Sequence, residues 1–328
     1  MPPTDIKLSV IALFYHGERW IDSCVRSLEN QSLPRDLYEI ILVDNGGSTP
    51  SVHKYKRQKN LNVIHFPENY GFAGGNNMAL EHTRGEIIIL MNQDVVVHHN
   101  CLKELSEAFD RYSDAGVISA NMIMVSEKDH INPYSAVTET VGHYTLTPLG
   151  FSSYNLTKTE KDVIPVDFVS GNALGFRRTI LKDIGNYLFD SRLVSYTEDL
   201  DFSLRLKKTK WQLYVWPRAV VYHYRDDAFV GTPSFMVRKL LHISSNRLMV
   251  YAKNLSLTGF MKKLPALLLG IPAKAARQDG DKHFYLLKFA IALGLTPLIF
   301  VYFSIRVLKK TKSETEFEHF LKTQTINK

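Results

Sequence analysis

The residues best suited to chemistry in this sequence are carboxylates, and the tightest group is Glu198-Asp199-Leu200-Asp201. Three carboxylates within four residues repel one another, and capping a helix takes only one. Such a cluster suits a place where a base must accept a proton from a hydroxyl. A capping box on a solvated helix is the competing reading, and helical spacing aims at most one or two of the three at a common point. A second candidate closes Asn92-Gln93-Asp94, directly after the apolar run 87–91. Asp94 either caps the next turn or holds a divalent cation that in turn holds a diphosphate. Asp44, ahead of Asn45-Gly46-Gly47-Ser48-Thr49, either accepts from a nucleobase or ribose or closes an Asx-turn. The stretch Asn69-Tyr70-Gly71-Phe72-Ala73-Gly74-Gly75-Asn76-Asn77 has the makings of a phosphate cradle. Glycines let the backbone approach closely, and a helix N-terminus favours anions. Its spacing is neither a Walker loop nor G-x-G-x-x-G. His223, alone at a strand end, is either structural or joins Asp94 in a metal site of oxygen and nitrogen ligands.

The elements that must position these groups follow from periodicity. The run 87–91, bounded by Gly85 and a polar triplet, reads as a strand buried on both faces of a parallel sheet, being too short for a helix. Further strands are expected at 7–13, 38–43, 62–65, 116–119, 166–176, 211–215 and 219–222, the last two separated by a break at Pro217. Helices are expected at 20–30, from about 76 to 82, at 100–112, at 179–184, and from 196 to about 208 with Thr197 as N-cap. Strand–helix alternation of this kind gives an α/β fold, a mostly parallel sheet flanked by helices. Asp44, Asp94, the Asp199 helix and His223 then all fall at the edge where open α/β sheets bind ligands. Residues 126–165 are polar and aromatic without periodicity, and read as an irregular insertion over the site, an acceptor or lid element.

With 328 residues the chain is long enough for one large or two modest domains. No internal repeat or low-complexity segment interrupts it. Cys24 and Cys101 are the only cysteines, too few for a disulfide framework and without metal-ligand spacing, which points to the reducing cytosol. The polar N-terminus runs straight into a strand, so no signal peptide is expected.

The net charge of +7 is uneven: residues 235–328 hold 16 Lys and Arg against 5 Asp and Glu, leaving 24 against 28 in the remainder. A basic tail with interleaved apolar runs fits an anionic membrane surface better than nucleic acid. Residues 235–254 have a long helical pattern, 264–273 are apolar with two prolines, and 289–305 are seventeen residues without a charge. That last run is marginal for a bilayer span, and both its flanks are basic. Helices lying in the cytoplasmic interface, or a re-entrant hairpin, are therefore expected, against a second small core or an oligomer contact. The expected division is a catalytic domain at 1–230 and a membrane-associating helical region at 231–328.

Taken in order, Glu39-Ile40-Ile41-Leu42-Val43-Asp44-Asn45-Gly46-Gly47-Ser48-Thr49, the stretch 69–77, Leu90-Met91-Asn92-Gln93-Asp94, Ser170-Gly171-Asn172, Glu198-Asp199-Leu200-Asp201 and Val220-Val221-Tyr222-His223 resemble the family-2 glycosyltransferases of the GT-A fold, notably the rhamnosyltransferase-like branch. The resemblance covers residues 7 to 225. It implies that Asp199 is the general base of an inverting transfer, with Glu198 and Asp201 on the acceptor side. Asp44, Asn45, Asn69, Gly74, Gly75, Asn76, Asn92 and Asp94 would line the donor site. Asp94 and His223 would hold Mg²⁺ or Mn²⁺. The resemblance implies a nucleotide-diphosphate sugar donor and a glycan acceptor, while the basic tail adds the cytoplasmic side of the cell membrane, a lipid-linked acceptor and no nucleic acid, and a second copy of the chain is a further expected partner. Two departures stand out: Asn92 replaces the first acid of the D-x-D-type element, and Phe14-Tyr15-His16 replaces an Asn-rich loop. A nucleotidyltransferase is the rival enzyme class, and a non-catalytic membrane-bound scaffold the rival non-enzyme.

Overall fold

The computed structural model describes residues 6–47, 49–56, 60–126, 129, 131–135, 139–224, 233–277, 294, 297–299 and 301. The apolar run 87–91 forms β4 (Ile87–Asn92), which lies between β1 (Leu8–Phe14) and β10 (Ala173–Arg177). Beyond β1 come β2 (Tyr38–Asn45) and β3 (Leu61–Phe66), all parallel to β4. Beyond β10 come β6 (Ala115–Val125), β11 (Gln212–Tyr224) and β5 (Val95–Val97), and β9 (Ile164–Pro165) pairs with β11.

The sheet is mixed rather than mostly parallel. β10 runs antiparallel to both β4 and β6, and β11 runs parallel to β6 but antiparallel to β5 and β9. The reversal was hidden because a buried antiparallel strand has the same apolar composition as a parallel one. β11 is one strand where a break was expected: Pro217 falls in a register shift between Trp216 and Val220, the kind of irregularity where proline is tolerated.

Alternation along β1 and β4 builds both cores. Leu8, Val10, Ala12, Ile87, Ile89 and Met91 join one cluster with α1 (Ile21–Glu29) and α3 (Cys101–Arg111). Ile11, Leu13, Ile88 and Leu90 join the other with α2 (Gly71–Ala79) and α4 (Glu198–Leu206). Burial on both faces is what the continuous apolar runs require.

Two expectations change here. The glycine-rich stretch is itself the first turns of α2, which starts at Gly71 and not at about 76. A Cβ on Gly75 would lie 2.9 Å from the Leu13 side chain, so the small residues serve close helix–strand packing. The insertion 126–165 is not irregular throughout: it holds a two-stranded hairpin of β7 (Thr140–Leu146) and β8 (Ser152–Lys158). Gly142 lets β7 pass β6 so closely that a Cβ would sit 1.8 Å from the Met122 carbonyl oxygen.

The chain divides into two compact units, Met1–Thr145 with Tyr154–Asp226, and Leu146–Ser153 with Asp227–Lys328. The second contains the hairpin tip with α5 (Pro233–Asn254) and α6 (Leu257–Arg277). There Arg247 and Tyr251 donate to the Gly150 carbonyl at 2.7 and 2.9 Å, and Lys263 donates to that of Pro148 at 2.9 Å. Among the described residues no helix is long and apolar enough to cross a membrane. Most of the charge-free stretch 289–305 lies outside the described residues.

Candidate active site

Parallel registration levels the carboxyl ends of three strands. Phe14 pairs with Asp44, and Leu13 pairs with Asn92. The β4–β5 turn carries Asp94 past this edge, and β11 returns antiparallel to β5 with His223 opposite Val95. The Asp94 carbonyl accepts from the Tyr224 amide at 2.9 Å, which fixes the two side chains side by side. His223 Nε2 lies 3.2 Å from Asp94 Oδ1, at ion-pair distance but without hydrogen-bond geometry.

The base candidate reaches the same edge through a short series of contacts. Asp199 Oδ2 accepts from the Gly171 amide at 3.3 Å, while its Oδ1 accepts from the Leu200 amide at 2.8 Å. The neighbouring Asn172 is bound twice by Asn92: amide to carbonyl at 2.9 Å and side chain to side chain at 3.0 Å. Asp199 and the Asp94–His223 pair therefore belong to one connected edge. Cys24 lies close by, but burial, and then the Asp94 charge, push its thiol up to about 12, so it remains an unreactive thiol.

The segment before α4 is held in an unusual form. Val194, Tyr196 and Thr197 all have positive φ, at 61, 69 and 68°. Such a conformation is strained for non-glycine residues, most of all for a β-branched one. It persists because the segment is bolted to the start of α2: Ala73 donates to the Val194 carbonyl at 2.9 Å and Phe72 to Ser195 Oγ at 3.2 Å. Thr197 precedes the helix as expected, but its hydroxyl makes no capping bond and is buried without a partner among the described residues.

The three carboxylates of α4 separate. Asp199 faces the site. Asp201 is fully buried and bonds Arg205 Nε at 2.8 Å, and Arg205 also donates to the carbonyls of Ile184, Tyr187 and Leu188. Asp201 is thus turned into a structural ion pair and is not gathered with the acceptor side. Glu198 is buried, and burial, followed by the Asp199 charge, holds its carboxyl well above the ordinary value of 4.5.

The remaining candidates divide between site and scaffold. Asp44 is buried at the end of β2, where Oδ1 accepts from the Thr49 amide at 3.0 Å and Oδ2 lies 3.1 Å from His65 Nδ1. Asn45 ties β2 to the α2 entrance, donating to Asn69 Oδ1 at 3.0 Å and the Gly71 carbonyl at 3.1 Å. Asn69 also accepts from the Gly71 amide at 2.8 Å, and Asn76 donates to the Phe72 carbonyl at 2.8 Å. Asn45, Asn69 and Asn76 thereby fix the start of α2, and Gly75 lets it lie against Leu13 and Asn45. Gln93 was read only as part of a motif, yet it locks the β1 loop: its Oε1 accepts from the Tyr15 amide at 2.8 Å and its Nε2 donates to the Tyr15 carbonyl at 3.1 Å. Gln93 fills the free middle position of the D-x-D-type element, so the motif itself carried no signal for that role.

Five buried polar atoms on the elements that carry these candidates have no hydrogen-bond partner among the described residues: Asn92 Oδ1 and Asp94 Oδ1 at the β4–β5 turn, His223 Nδ1 near the end of β11, and Thr197 Oγ1 and Glu198 Oε2 at the start of α4. Buried polar groups are normally satisfied, so each of these atoms is placed to meet a polar ligand. Asp94 with His223 fits a divalent cation that accepts mixed oxygen and nitrogen ligands.

A family model described as Glycosyl transferase family 2 matches residues 9–185, more than half of the chain. The chain is 29% identical over 111 residues to the poly(ribitol-phosphate) beta-N-acetylglucosaminyltransferase TarS of Staphylococcus aureus, a match covering 33% of this chain and 19% of that protein. It is 24% identical over 214 residues to the poly(ribitol-phosphate) beta-glucosyltransferase of Bacillus spizizenii, covering 62% of this chain and 33% of that protein. The chain thus spans about a third or less of the length of these two relatives. Among solved structures, GalNAc-T7 with UDP, GalNAc and Mn²⁺ aligns with a TM-score of 0.63 at 14% identity, covering 90% of this chain and 57% of that chain. TarS 1-349 of S. aureus in complex with UDP-GlcNAc aligns at 0.51 and 17% identity, covering 90 and 91%. The shared architecture is an α/β, GT-A-like mixed sheet flanked by helices.

Proposed function

The chain belongs to glycosyl transferase family 2, and from that premise we propose that it moves a sugar from a nucleoside diphosphate sugar to a hydroxyl of a glycan or lipid-linked acceptor, with inversion at the anomeric carbon. The observation that carries this reading is the connection of Asp199, through Gly171, Asn172 and Asn92, to the Asp94–His223 pair. One group that can take a proton and one pair that can hold a charged leaving group stand on one sheet edge, and an inverting displacement needs one base and no protein nucleophile.

In this mechanism Asp199 accepts the proton of the acceptor hydroxyl as that oxygen attacks the anomeric carbon, and the nucleoside diphosphate leaves from the opposite face. Asp44 accepts from the donor base. Thr197 Oγ1 and Glu198 Oε2 offer buried, unpaired polar atoms beside Asp199 for acceptor hydroxyls. Asp94 and His223 would hold Mg²⁺ or Mn²⁺, which offsets charge developing on the diphosphate. The donor is a uridine diphosphate sugar or the dTDP-rhamnose of the branch the motifs resemble. UDP and UDP-GlcNAc in the aligned structures support the first.

The basic tail, with Leu257 and Met261 exposed on α6, supports a place at the cytoplasmic face of the cell membrane, in peripheral contact with a lipid-linked acceptor. Calorimetry of the full chain with UDP-GlcNAc, UDP-glucose and dTDP-rhamnose, followed by a transfer assay, tests the proposal. One donor should bind, and Asp199→Asn should keep that binding while transfer falls about 10²–10⁴-fold. Unchanged transfer in Asp199→Asn, or no binding by any donor, would end the reading.

A further inference from the structure

The group Asp44, His53 and His65 takes no part in the proton transfer. It joins three stretches that are apart in sequence: the end of β2, the short 3-10 helix Pro50–Tyr55 and β3. Each residue offers one ligand atom, and the three atoms lie within 4.8 Å of one another. Among the described residues it is the one group of three or more His, Cys, Asp or Glu side chains so arranged.

We propose that Asp44, His53 and His65 form a second metal site, selective for Zn²⁺ or a similar transition-metal ion, distinct from the Asp94–His223 pair. Three further observations point to a ligand. His53 Nδ1 is buried and has no hydrogen-bond partner among the described residues, a costly state for a ring nitrogen unless something is bound. Asp44 Oδ2 already lies 3.1 Å from His65 Nδ1, while its other oxygen is held by the Thr49 amide, so the carboxylate is oriented in advance. The His53 and His65 rings stand 6.0 Å apart, centre to centre, and tilted by 49°, so they are not stacked on each other.

The donor set decides the ion. Two imidazoles and one carboxylate supply the three protein ligands of an open zinc site, with a fourth position left for water. Magnesium prefers an all-oxygen shell and gains little from two imidazoles. The His65 side chain is 48% exposed, so the ion has a path from solvent. Gly47, at φ 65°, borders the ring: a Cβ there would lie 3.1 Å from His65 Cε1. If Asp44 also meets the donor base, as in the function proposed above, ion and base compete for one carboxylate, and zinc acts as a brake on donor binding.

The test uses the full chain, freed of metal by a chelator, carrying Asp94→Asn and His223→Ala to silence the other pair. Zn²⁺ alone is titrated by calorimetry, and Co²⁺ by visible absorption. One ion per chain should bind in this background. His65→Gln and His53→Gln should each weaken it at least about tenfold, since even supporting residues around a metal are worth that much, and should remove the Co²⁺ absorption bands. His65→Gln alters a half-exposed side chain, so a loss of binding there is not a loss of fold. Zinc affinity unchanged in both variants, or no stoichiometric binding in the starting background, overturns the site. UMP titrated with and without Zn²⁺ separates the two readings. Weaker UMP binding with zinc, absent in His65→Gln, supports the brake. Zinc binding that leaves UMP untouched keeps the metal site and removes Asp44 from the donor base.

Discussion

Glu198, Asp199 and Asp201 are neighbours on one helix with three different fates. Asp199 is aimed at the sheet edge, Asp201 is spent on Arg205, and Glu198 is buried beside a charge. Asp201 was expected on the acceptor side, but it stands four residues before Arg205, the spacing of a helical ion pair, and that pair is the reason the third acid leaves the site. What the sequence did not disclose was the burial of Glu198, because that depends on the chain folded over it. Its consequence is measurable. A carboxyl whose folded-state value is raised above the unfolded one stabilises the fold fully below the unfolded value, and that contribution is lost as pH climbs through the raised value. Glu198→Gln cannot ionise. Denaturant titrations from acid to mildly alkaline pH should find the variant flatter than the wild type, with its relative stability rising with pH above about 4.5. A difference that does not change with pH would mean that Glu198 is not held protonated.

At the scale of elements, apolar runs were the readable part. β1, β2 and β4 stand where their composition put them, and their shared carboxyl edge brought Asp44 and Asp94 to one side. The direction of β10 was not readable, because strand sense is set by connections and not by side-chain type. The start of α2 was misjudged for a related reason. Glycines weaken a helix in isolation, but here they admit Leu13 and Asn45 against its backbone, and packing outweighs propensity. The β7–β8 hairpin was missed because its sequence does not alternate: Val141, Gly142 and His143 are buried in succession on β7, and β8 is half-buried or exposed along its whole length. Gly142 is the tightest point in that hairpin. Gly142→Ala must push β7 away from Met122, an overpacking cost of about 1–3 kcal/mol. Thermal melting should record a loss of several degrees, and a variant melting with the wild type would show that the hairpin does not press on β6.

For the whole molecule, charge is the governing quantity. The basic excess lies wholly in the last third of the chain, while the catalytic part is mildly acidic. Each Lys or Arg close to an anionic leaflet is worth about 1 kcal/mol, and the attraction is screened by salt. The full chain should therefore sediment with vesicles containing phosphatidylserine, not with pure phosphatidylcholine, and high salt should release it. Equal binding to both vesicle types would leave the tail without an electrostatic role.

The left-handed turn at Thr197 bears on how much heat the protein tolerates. A β-branched residue in that conformation, with a hydroxyl that finds no partner among the described residues, costs about 1–3 kcal/mol that glycine would largely recover. Thr197→Gly should melt several degrees higher and at the same time hold its acceptor more weakly. Such an outcome would mean that durability has been traded for a grip on the molecule to be glycosylated, and that a hardier version of this enzyme lies one substitution away.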